Sequence, residues 1–262
     1  MSQAETIMSN PKLLSELVQL TSDAGDVILK IYHSDNFNVQ NKLDESPVTA
    51  ADLAAHHYIM AGLKRLTPSI PVVSEEDANS LSVAHNNTCY WLIDPLDGTK
   101  EFINKNGEFT VNLALIEANK PSFGLVGVPV ANHVYWGGNR LGAFRQLQNQ
   151  LEDASYIQCV KTQIPIRVLA SKSHLNDATK QLIDQLGSST LIQAGSSLKF
   201  IRIAEGLADY YPRLAPTCEW DTAAAQAVLE GAGGSVKQAS GQSMVYGKAD
   251  ILNPHFIAMG LS

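Results

Sequence analysis

Residues 91–99 read WLIDPLDGT, an apolar run that ends in Asp94 and Asp97 with Pro95 and Gly98 beside them. This stretch restricts the fold strongly, because the apolar run must be buried while Pro and Gly end regular structure directly behind it. Carboxylates three positions apart also repel each other when a turn brings them together. Either the segment is a tight surface turn, in which Asp, Pro and Gly are common for backbone reasons, or a cation lies between the carboxylates.

The composition excludes some classes of partner. The chain has 262 residues, enough for one large domain or two smaller ones, and 45% apolar and 17% charged residues are ordinary values for a globular protein. The net charge of −7 and the pI of about 5.5 argue against a non-specific binder of nucleic acid or of membrane surfaces, which are themselves anionic. A small anionic substrate would therefore need local neutralisation by a metal or by particular Lys and Arg residues.

The cellular compartment can also be predicted. The three cysteines, Cys89, Cys159 and Cys218, are odd in number and widely spaced, which favours free thiols in a reducing compartment. The N-terminus has no signal-peptide pattern, and no stretch approaches the roughly 18 apolar residues of a spanning helix. We therefore expect a cytoplasmic protein, with peripheral attachment at the inner face of the membrane left open.

The first half of the sequence predicts two helices followed by a run of strands. Apolar residues recur at helical spacing over residues 11–32, and a second helix starts near Thr49 and stops before Pro68. A polar, hairpin-like stretch at 37–47 separates them. The strand-like segments that follow are PVVSEE, CYWLID, TVNLALIE, SFGLVGVPV, HVYWGG and LGAFRQ. Helices followed by consecutive strands predict an α+β layer with an antiparallel sheet.

The second half has a different rhythm. The chain becomes polar and irregular near 148–163, which predicts a boundary between an N-terminal half, 1–158, and a C-terminal half, 159–262. After it come a strand IPIRVLAS, a helix HLNDATKQLIDQLG, a strand TLIQAG, helices SLKFIRIAEGLADYY and DTAAAQAVLEGAG, and a last strand FIAMG. This alternation predicts an α/β half, so the fold class is α/β, with an α+β N-terminal half and an α/β C-terminal half.

The opening stretch could hold both a metal and an anion. Asp94 ends the predicted strand and Asp97 follows one turn later, so their oxygens and the intervening carbonyls can converge on a hard cation such as Mg²⁺. GTKEFI reads as the first turn of a short helix, where free N–H groups and the Thr99 hydroxyl suit a phosphate. Metal-assisted phosphoryl transfer requires adjacent sites of these two kinds. The other interpretation is a loop with a helix cap.

Three further carboxylates lie near predicted element ends. Glu75 follows the apolar PVV, Asp52 lies near the start of the second helix, and Asp221 begins the Ala-rich helix. Each has an ordinary explanation, because acidic loops are solvated and Asp in a first helical turn is favoured by the helix dipole. Together with the two aspartates of the opening stretch they form a set that two or three divalent ions could hold together.

DPLDGTKEF, a preceding SEE and a following EWDTAAAQAVLEGAGG resemble the motifs of the inositol monophosphatase superfamily of Mg²⁺-dependent, lithium-sensitive phosphatases. The three motifs occur in the family's order, and the resemblance extends from VTAAD near residue 48 to GAGGSV near residue 235. Within the superfamily, GSSLKFIRIAEGLADYYPRLAPTCEWDTAA is most similar to the 3'(2'),5'-bisphosphate nucleotidases. The resemblance implies a layered α/β/α/β/α sandwich that is a monomer or a homodimer.

The resemblance also implies roles for individual residues. The implied metal ligands, for two or three Mg²⁺ ions, are Glu75, Asp94, the Leu96 carbonyl, Asp97 and Asp221. Water activation would fall to Glu75 and to Thr99, oriented by Asp52. The implied substrate contacts are Glu75, Leu96, Asp97, Gly98, Thr99, Ser196, Lys199, Arg213 and Asp221. Among these, Ser196, Lys199 and Arg213 would bind the nucleotide and its second phosphate.

The activity implied by the resemblance is hydrolysis of the 3'-phosphate of adenosine 3',5'-bisphosphate (PAP), and of the related PAPS, in sulfur assimilation. Two alternatives stay open. One is a phosphatase for inositol phosphates or other sugar phosphates, and the other is a non-catalytic module in which the carboxylates hold one structural Ca²⁺. Thr99 and Asp52 favour an enzyme, because a binding module needs no group that positions water.

Overall fold

The structure is a computed structural model that describes residues 1–34, 40–41, 47–147, 153–170 and 176–261. The helices are α1 (Gln3–Met8), α2 (Pro11–Tyr32), α3 (Ala50–Leu66), α4 (Leu81–Asn86), α5 (Thr99–Ile103), α6 (Asp177–Gln185), α7 (Leu198–Ala204) and α8 (Ala223–Gly231). The strands are β1 (Gln40–Asn41), β2 (Pro47–Val48), β3 (Val72–Ser74), β4 (Cys89–Asp97), β5 (Thr110–Glu117), β6 (Lys120–Val128), β7 (His133–Gly138), β8 (Gly142–Leu147), β9 (Ser155–Tyr156), β10 (Ile166–Ala170), β11 (Ser189–Gln193), β12 (Tyr210–Arg213), β13 (Ser235–Gln238) and β14 (Phe256–Met259).

A seven-stranded sheet forms the first half, in the order β3-β4-β5-β6-β7-β8-β9. All neighbours are antiparallel except β3 and β4, which run parallel. The β5–β6 hairpin turns through Ala118 and Asn119, both with positive φ, as a two-residue turn requires. The antiparallel sheet predicted from consecutive strands is confirmed.

A five-stranded sheet forms the second half, in the order β11-β10-β12-β14-β13. β10 pairs in parallel with β11 and β12, and α6 provides the crossover from β10 to β11. β14 runs antiparallel to its neighbours β12 and β13. The α/β character predicted for this half is confirmed.

The layers follow from which face of each strand is buried. On one face of the seven-stranded sheet, α2 and α3 bury an outer core that includes Leu17, Ile59 and Trp91. On its other face, α7 and α8 bury a central core, shared with the five-stranded sheet, that includes Leu92 and Val228. α6 packs against β12 of the five-stranded sheet, so the layers are α/β/α/β/α.

α8 packs directly on the seven-stranded sheet. Gly124 of β6 makes this possible, because a Cβ atom there would lie only 2.1 Å from the carbonyl oxygen of Ala224. Such an approach excludes any other residue unless the helix moves away. The start of α8 is therefore held close to β6.

Some predicted elements differ from those observed. The helix predicted for SLKFIRIAEGLADYY ends at Ala204, because Gly206 has a φ of +72° that no right-handed helix accepts, and Tyr210–Arg213 is a strand. α8 begins at Ala223, so Asp221 lies before the helix. α1, α4 and β13 were missed, since none is long enough to show a clear period.

Two predicted features lie partly outside the described residues. Of the hairpin-like stretch at 37–47, β1 and the first residue of β2 are described, and these strands pair antiparallel. Residues 148–152 of the predicted boundary are likewise not described. Within the described part of the chain, no helix has the length and apolarity needed to cross a bilayer. The cysteines form no disulfide with one another.

Candidate active site

The two aspartates of the opening stretch converge through a β-bulge in β4. Asp94 pairs with Asn112 of β5 and Asp97 pairs with Thr110, so a step of three residues on β4 matches a step of two on β5. In a regular strand, side chains three positions apart point to opposite faces, and the bulge brings Asp97 back to the face of Asp94. Leu96 shows the same change of phase, because it packs in the outer core although it follows Asp94 by two positions.

Three carboxylates from different elements meet beside this bulge. Glu75, Asp94 and Asp221 each have a carboxylate oxygen within 4.8 Å of the others. Glu75 and Asp94 are neighbours because β3 and β4 are parallel, with Ser74 aligned to Ile93. The donors are all oxygen, which is the preference of Mg²⁺ and other hard cations, so these residues fit such an ion.

Without a cation, the cluster is electrostatically unfavourable. Burial raises the pKa of Asp94 well above its usual range, and the negative charges of Glu75, Asp97 and Asp221 raise it further. Burial and the charges of Asp97 and Glu75 raise the pKa of Asp221 in the same way. A divalent cation would lower both pKa values, since it stabilises the ionised carboxylates.

A pH dependence of stability follows from these two aspartates. Their pKa values are raised above 3.8 in the folded metal-free protein, so the folded state holds protons that the unfolded chain has released. We expect this contribution to the free energy of unfolding to be full below pH 3.8 and to decline as the pH rises through the raised pKa values. Mg²⁺ should therefore raise Tm more at about pH 7.5 than at about pH 5, where protons compete with it.

Calorimetry in EDTA and in excess Mg²⁺ at both pH values would measure this difference. A Glu230→Gln variant serves as the control, because burial also raises the pKa of Glu230, outside the cluster. An increase in Tm that is the same at both pH values would contradict the expectation.

Asp52 and Thr99 form a hydrogen-bonded pair between α3 and α5. One oxygen of Asp52 accepts from the Thr49 backbone N–H at 2.7 Å and from the Thr49 hydroxyl at 2.5 Å. The other accepts from the Thr99 hydroxyl at 3.1 Å. Burial raises the pKa of Asp52, and these donors oppose that effect. Because the Thr99 proton is directed at Asp52, the Thr99 oxygen can only accept a hydrogen bond from a third group.

The backbone between Asp97 and Thr99 is shaped by a glycine. Gly98 has a φ of +95°, in the left-handed region, and a Cβ atom there would lie 3.3 Å from the Glu108 carbonyl oxygen. The Gly98 carbonyl accepts from the Phe102 N–H, which closes the first turn of α5. The first N–H groups of a helix have no partner within it, so they are available to an acceptor in the cleft.

A cleft opens beside the carboxylates. Its lining residues are Asp97, Gly98, Glu101, Ser196, Lys199, Phe200, Tyr211, Arg213, Thr217, Asp221 and Thr222. Of the residues singled out in the sequence, Asp97, Gly98, Ser196, Lys199, Arg213 and Asp221 belong to this lining. Glu75 and Asp94 adjoin it through Asp221, and Leu96 contributes a backbone N–H that donates to Asp94 Oδ1 at 3.0 Å.

The cations of the cleft come from the C-terminal half. Lys199 is 4% exposed, and burial lowers its pKa to about 8. Its ammonium donates to the Ser196 carbonyl at 2.6 Å and lies 5.2 Å from the centre of the Tyr211 ring. Arg213 donates to the carbonyls of Ala215 and Pro216, which hold its guanidinium at the cleft.

Sequence reasoning missed Glu101, Thr217 and Thr222 of the cleft lining. It also missed Thr110, Asn112 and Ser197, which contact the site through hydrogen bonds. Ser197 donates its backbone N–H to Asp97 Oδ2 at 2.6 Å, and its hydroxyl contacts the other two residues. One signal was present, because TVN alternates polar and apolar residues at the start of the otherwise apolar TVNLALIE. Buried polar side chains in such a strand require hydrogen-bond partners.

Comparisons with known proteins agree with this geometry. A profile described as the inositol monophosphatase family matches residues 10–260. The 3'(2'),5'-bisphosphate nucleotidase CysQ of Escherichia coli K12 is 44% identical in an alignment of 252 positions that covers 93% of this chain and 98% of that protein. The protein of the same description from Salmonella typhimurium is 43% identical with the same coverage. The crystal structure of CysQ from Bacteroides thetaiotaomicron, described as a bacterial member of the inositol monophosphatase family, has a TM-score of 0.83 at 37% identity and covers 95% of this chain and 97% of its own.

Proposed function

The chain belongs to the inositol monophosphatase family, and from that premise we propose that it is a 3'(2'),5'-bisphosphate nucleotidase. Its reaction is the hydrolysis of the 3'-phosphate of PAP, and also of PAPS, to release inorganic phosphate in sulfur assimilation. The relatives named CysQ support this substrate class. The family supports dependence on a divalent metal, and the cluster of Glu75, Asp94 and Asp221 fits one.

One observation carries the choice of substrate. The cleft has a carboxylate cluster for metals at one side, and Lys199 and Arg213 line the same cleft. A substrate with two phosphates can use both parts, with its 3'-phosphate at the metals and its 5'-phosphate at the two cations. Lys199 is almost fully buried, and a buried cation is stabilised by an anionic group that enters beside it.

The proposed roles of the metal ligands follow the resemblance. Glu75, Asp94, the Leu96 carbonyl, Asp97 and Asp221 would hold two or three Mg²⁺ ions, with Asp94 shared. Bound Mg²⁺ would neutralise charge on the phosphate and on the attacking and leaving oxygens. The N-terminal half, 1–158, would supply most of these ligands, and the C-terminal half, 159–262, would supply Asp221 and the nucleotide contacts.

The proposed role of the other residues is to bind and orient. The first N–H groups of α5, exposed by the backbone of Gly98, would donate to the scissile phosphate. The Thr99 oxygen, whose proton is directed at Asp52, would accept a hydrogen bond from the attacking water and so help to aim the water's lone pair at phosphorus. Glu75 would act as the base that accepts the one proton the water loses as it attacks.

A Lys199→Met variant tests the substrate. We expect its KM for PAP to rise about 10- to 100-fold, because a charge-assisted hydrogen bond contributes about 1.5 to 3 kcal/mol. Its KM for adenosine 3'-monophosphate, which lacks the 5'-phosphate, should change little, and this substrate is the matched control in the same variant. Steady-state phosphate release would give both values.

The same assay separates the alternatives. The panel contains PAP, PAPS, adenosine 3'-monophosphate and inositol 1-phosphate, each measured with Mg²⁺ and with added Li⁺. A kcat/KM higher for inositol 1-phosphate than for PAP would reject the nucleotidase in favour of an inositol phosphatase. Equal increases of KM for PAP and for adenosine 3'-monophosphate in Lys199→Met would show that Lys199 does not bind the 5'-phosphate.

A further inference from the structure

We propose that Thr110 is a positioning residue for metal binding, which acts by fixing the Ser196–Ser197 turn that holds Asp97. The inference rests on the proposed function in one respect, since it takes Asp97 as a metal ligand. It adds that β5, a strand with no residue among the proposed ligands, controls the affinity for the metal.

Asp97 is held from the C-terminal half of the chain. Its Oδ2 atom accepts the Ser197 backbone N–H at 2.6 Å and the Ser196 hydroxyl at 2.6 Å. Both donors engage the same oxygen, so they restrict rotation of the carboxylate, and Oδ1 is the atom that would bind a cation. A ligand oxygen fixed by hydrogen bonds binds a metal more tightly than one that rotates freely.

Thr110 holds the Ser196–Ser197 turn. The Thr110 Oγ1 atom lies 2.7 Å from Ser196 Oγ and 2.8 Å from Ser197 Oγ. The Ser196 hydroxyl donates to Asp97 Oδ2, and the Ser197 hydroxyl donates to Asn112 Oδ1 at 2.9 Å. Each hydroxyl has one proton, so with both serine protons engaged Thr110 donates its own proton to one of the two serines and stays in contact with the other.

Burial makes these contacts strong. Thr110 and Asn112 are 0% exposed and Ser197 is 1% exposed, so water does not compete for their hydrogen bonds. Ser196 has a φ of +51°, a left-handed conformation that is unfavourable for a residue with a side chain. Such a conformation persists only where the surroundings fix it, and the Thr110 hydroxyl is one of the groups that do so.

The register of β4 and β5 explains why this position is a threonine. The bulge aligns Thr110 with Asp97, on the face of β5 that meets the N-terminus of α7. Valine would fill the same volume there, and a buried hydroxyl is unfavourable unless it is hydrogen-bonded. The Thr110 hydroxyl therefore holds the Ser196–Ser197 turn in place, and this turn orients the Asp97 carboxylate.

Titration of Mg²⁺ into the substrate-free protein by calorimetry tests the inference. We expect Thr110→Val to bind Mg²⁺ about tenfold to a hundredfold more weakly than the native protein, the usual effect of removing a group that orients a ligand. Thr110→Ser keeps the hydroxyl and should restore the native affinity. Thr21→Val is the matched control, because Thr21 is equally buried and its hydroxyl bonds to the Leu17 carbonyl in α2, within the outer core.

Three results would overturn the inference: native Mg²⁺ affinity in Thr110→Val, an equal loss in Thr21→Val, or no recovery in Thr110→Ser. If Thr110→Val does not fold, the same titration of Ser197→Ala decides, since that variant removes the other hydroxyl contact of Thr110 and should also bind more weakly. The titration needs no substrate, so it separates the inference from the proposed function. If Thr110→Val weakens Mg²⁺ binding but the native chain does not hydrolyse PAP, only the proposed function is rejected. If the native chain hydrolyses PAP but Thr110→Val binds Mg²⁺ with native affinity, only the inference is rejected.

Discussion

Replacing Asp94 with Asn should abolish turnover at ordinary Mg²⁺ concentrations and remove most of the increase in Tm that Mg²⁺ gives to the native protein. Asp94 is 1% exposed, and its carboxylate is within 4.8 Å of those of Glu75 and Asp221. Asparagine keeps the shape but loses the charge, which is the property that attracts a divalent cation into a buried site. Activity and metal-dependent stability should therefore be lost together.

In the absence of metal, the same substitution should raise the stability of the folded protein. In EDTA at neutral pH, Asp94→Asn should unfold at a higher temperature than the native protein. The reason is that burial and the neighbouring carboxylates raise the pKa of Asp94, so its ionised form is unfavourable when no metal is bound. A variant that loses stability in EDTA would indicate that the carboxylate makes stabilising contacts within the protein itself.

A matched control separates the metal site from burial in general. Glu230 in α8 is also a carboxyl whose pKa is raised by burial, and it accepts from the Gln226 side chain at 2.8 Å. Glu230→Gln should keep native turnover and the native Mg²⁺-dependent increase in Tm. An Asp94→Asn variant that remains active at ordinary Mg²⁺ would reject the metal-site assignment.

Thr99→Ala is expected to lower kcat by about 10²- to 10⁴-fold, the range for loss of a group that takes part in proton transfer. The substitution removes the oxygen that would accept a hydrogen bond from the attacking water and orient it. It leaves Glu75, Asp94, Asp97 and Asp221 unchanged, so the increase in Tm with Mg²⁺ should stay at its native size. Steady-state kinetics and calorimetry on the same preparation would measure the two effects.

A Thr99 variant tests the orientation of the water more directly than an Asp52 variant would. Asp52 also accepts from the Thr49 N–H and hydroxyl in the capping box of α3, so Asp52→Asn would lower stability and activity together. Thr99→Ser keeps the hydroxyl and serves as the control, with turnover close to native. Native kcat in Thr99→Ala would remove the water-orienting role, and a chain that binds Mg²⁺ but hydrolyses no member of the substrate panel would favour the non-catalytic module.

Much of the fold could be predicted because its signals are local. The helices predicted at 11–32 and from Thr49 to Pro68 correspond to α2 and α3, since each has a long helical period and a capping residue. The consecutive strands of the first half could be predicted because apolar segments are separated there by Gly, Asn and Pro. Tyr210 and Tyr211 of the strand Tyr210–Arg213 were assigned to a helix, because a single glycine such as Gly206 inside an otherwise helical pattern does not by itself mark a helix end.

The kinds of ligand that the site binds could also be predicted from its residue types. Carboxylates beside apolar segments indicate a hard cation, and DGT before a short helix indicates an anion, whatever the overall architecture. The pairing of Thr99 with Asp52 came from the family resemblance, and these side chains are in contact at 3.1 Å. The ligand roles of the individual residues remain predictions that the variants above test.

By itself, the sequence determined the identities of the charged groups, their placement at element ends and the class of fold, because these depend on residue type and local period. Only the tertiary structure decided which carboxylates meet and how Asp97 is oriented. The bulge between Asp94 and Asp97 depends on pairing with β5, and the contact of Asp97 with Ser197 joins residues 100 positions apart. Such contacts arise from the packing of whole layers, which no local pattern encodes.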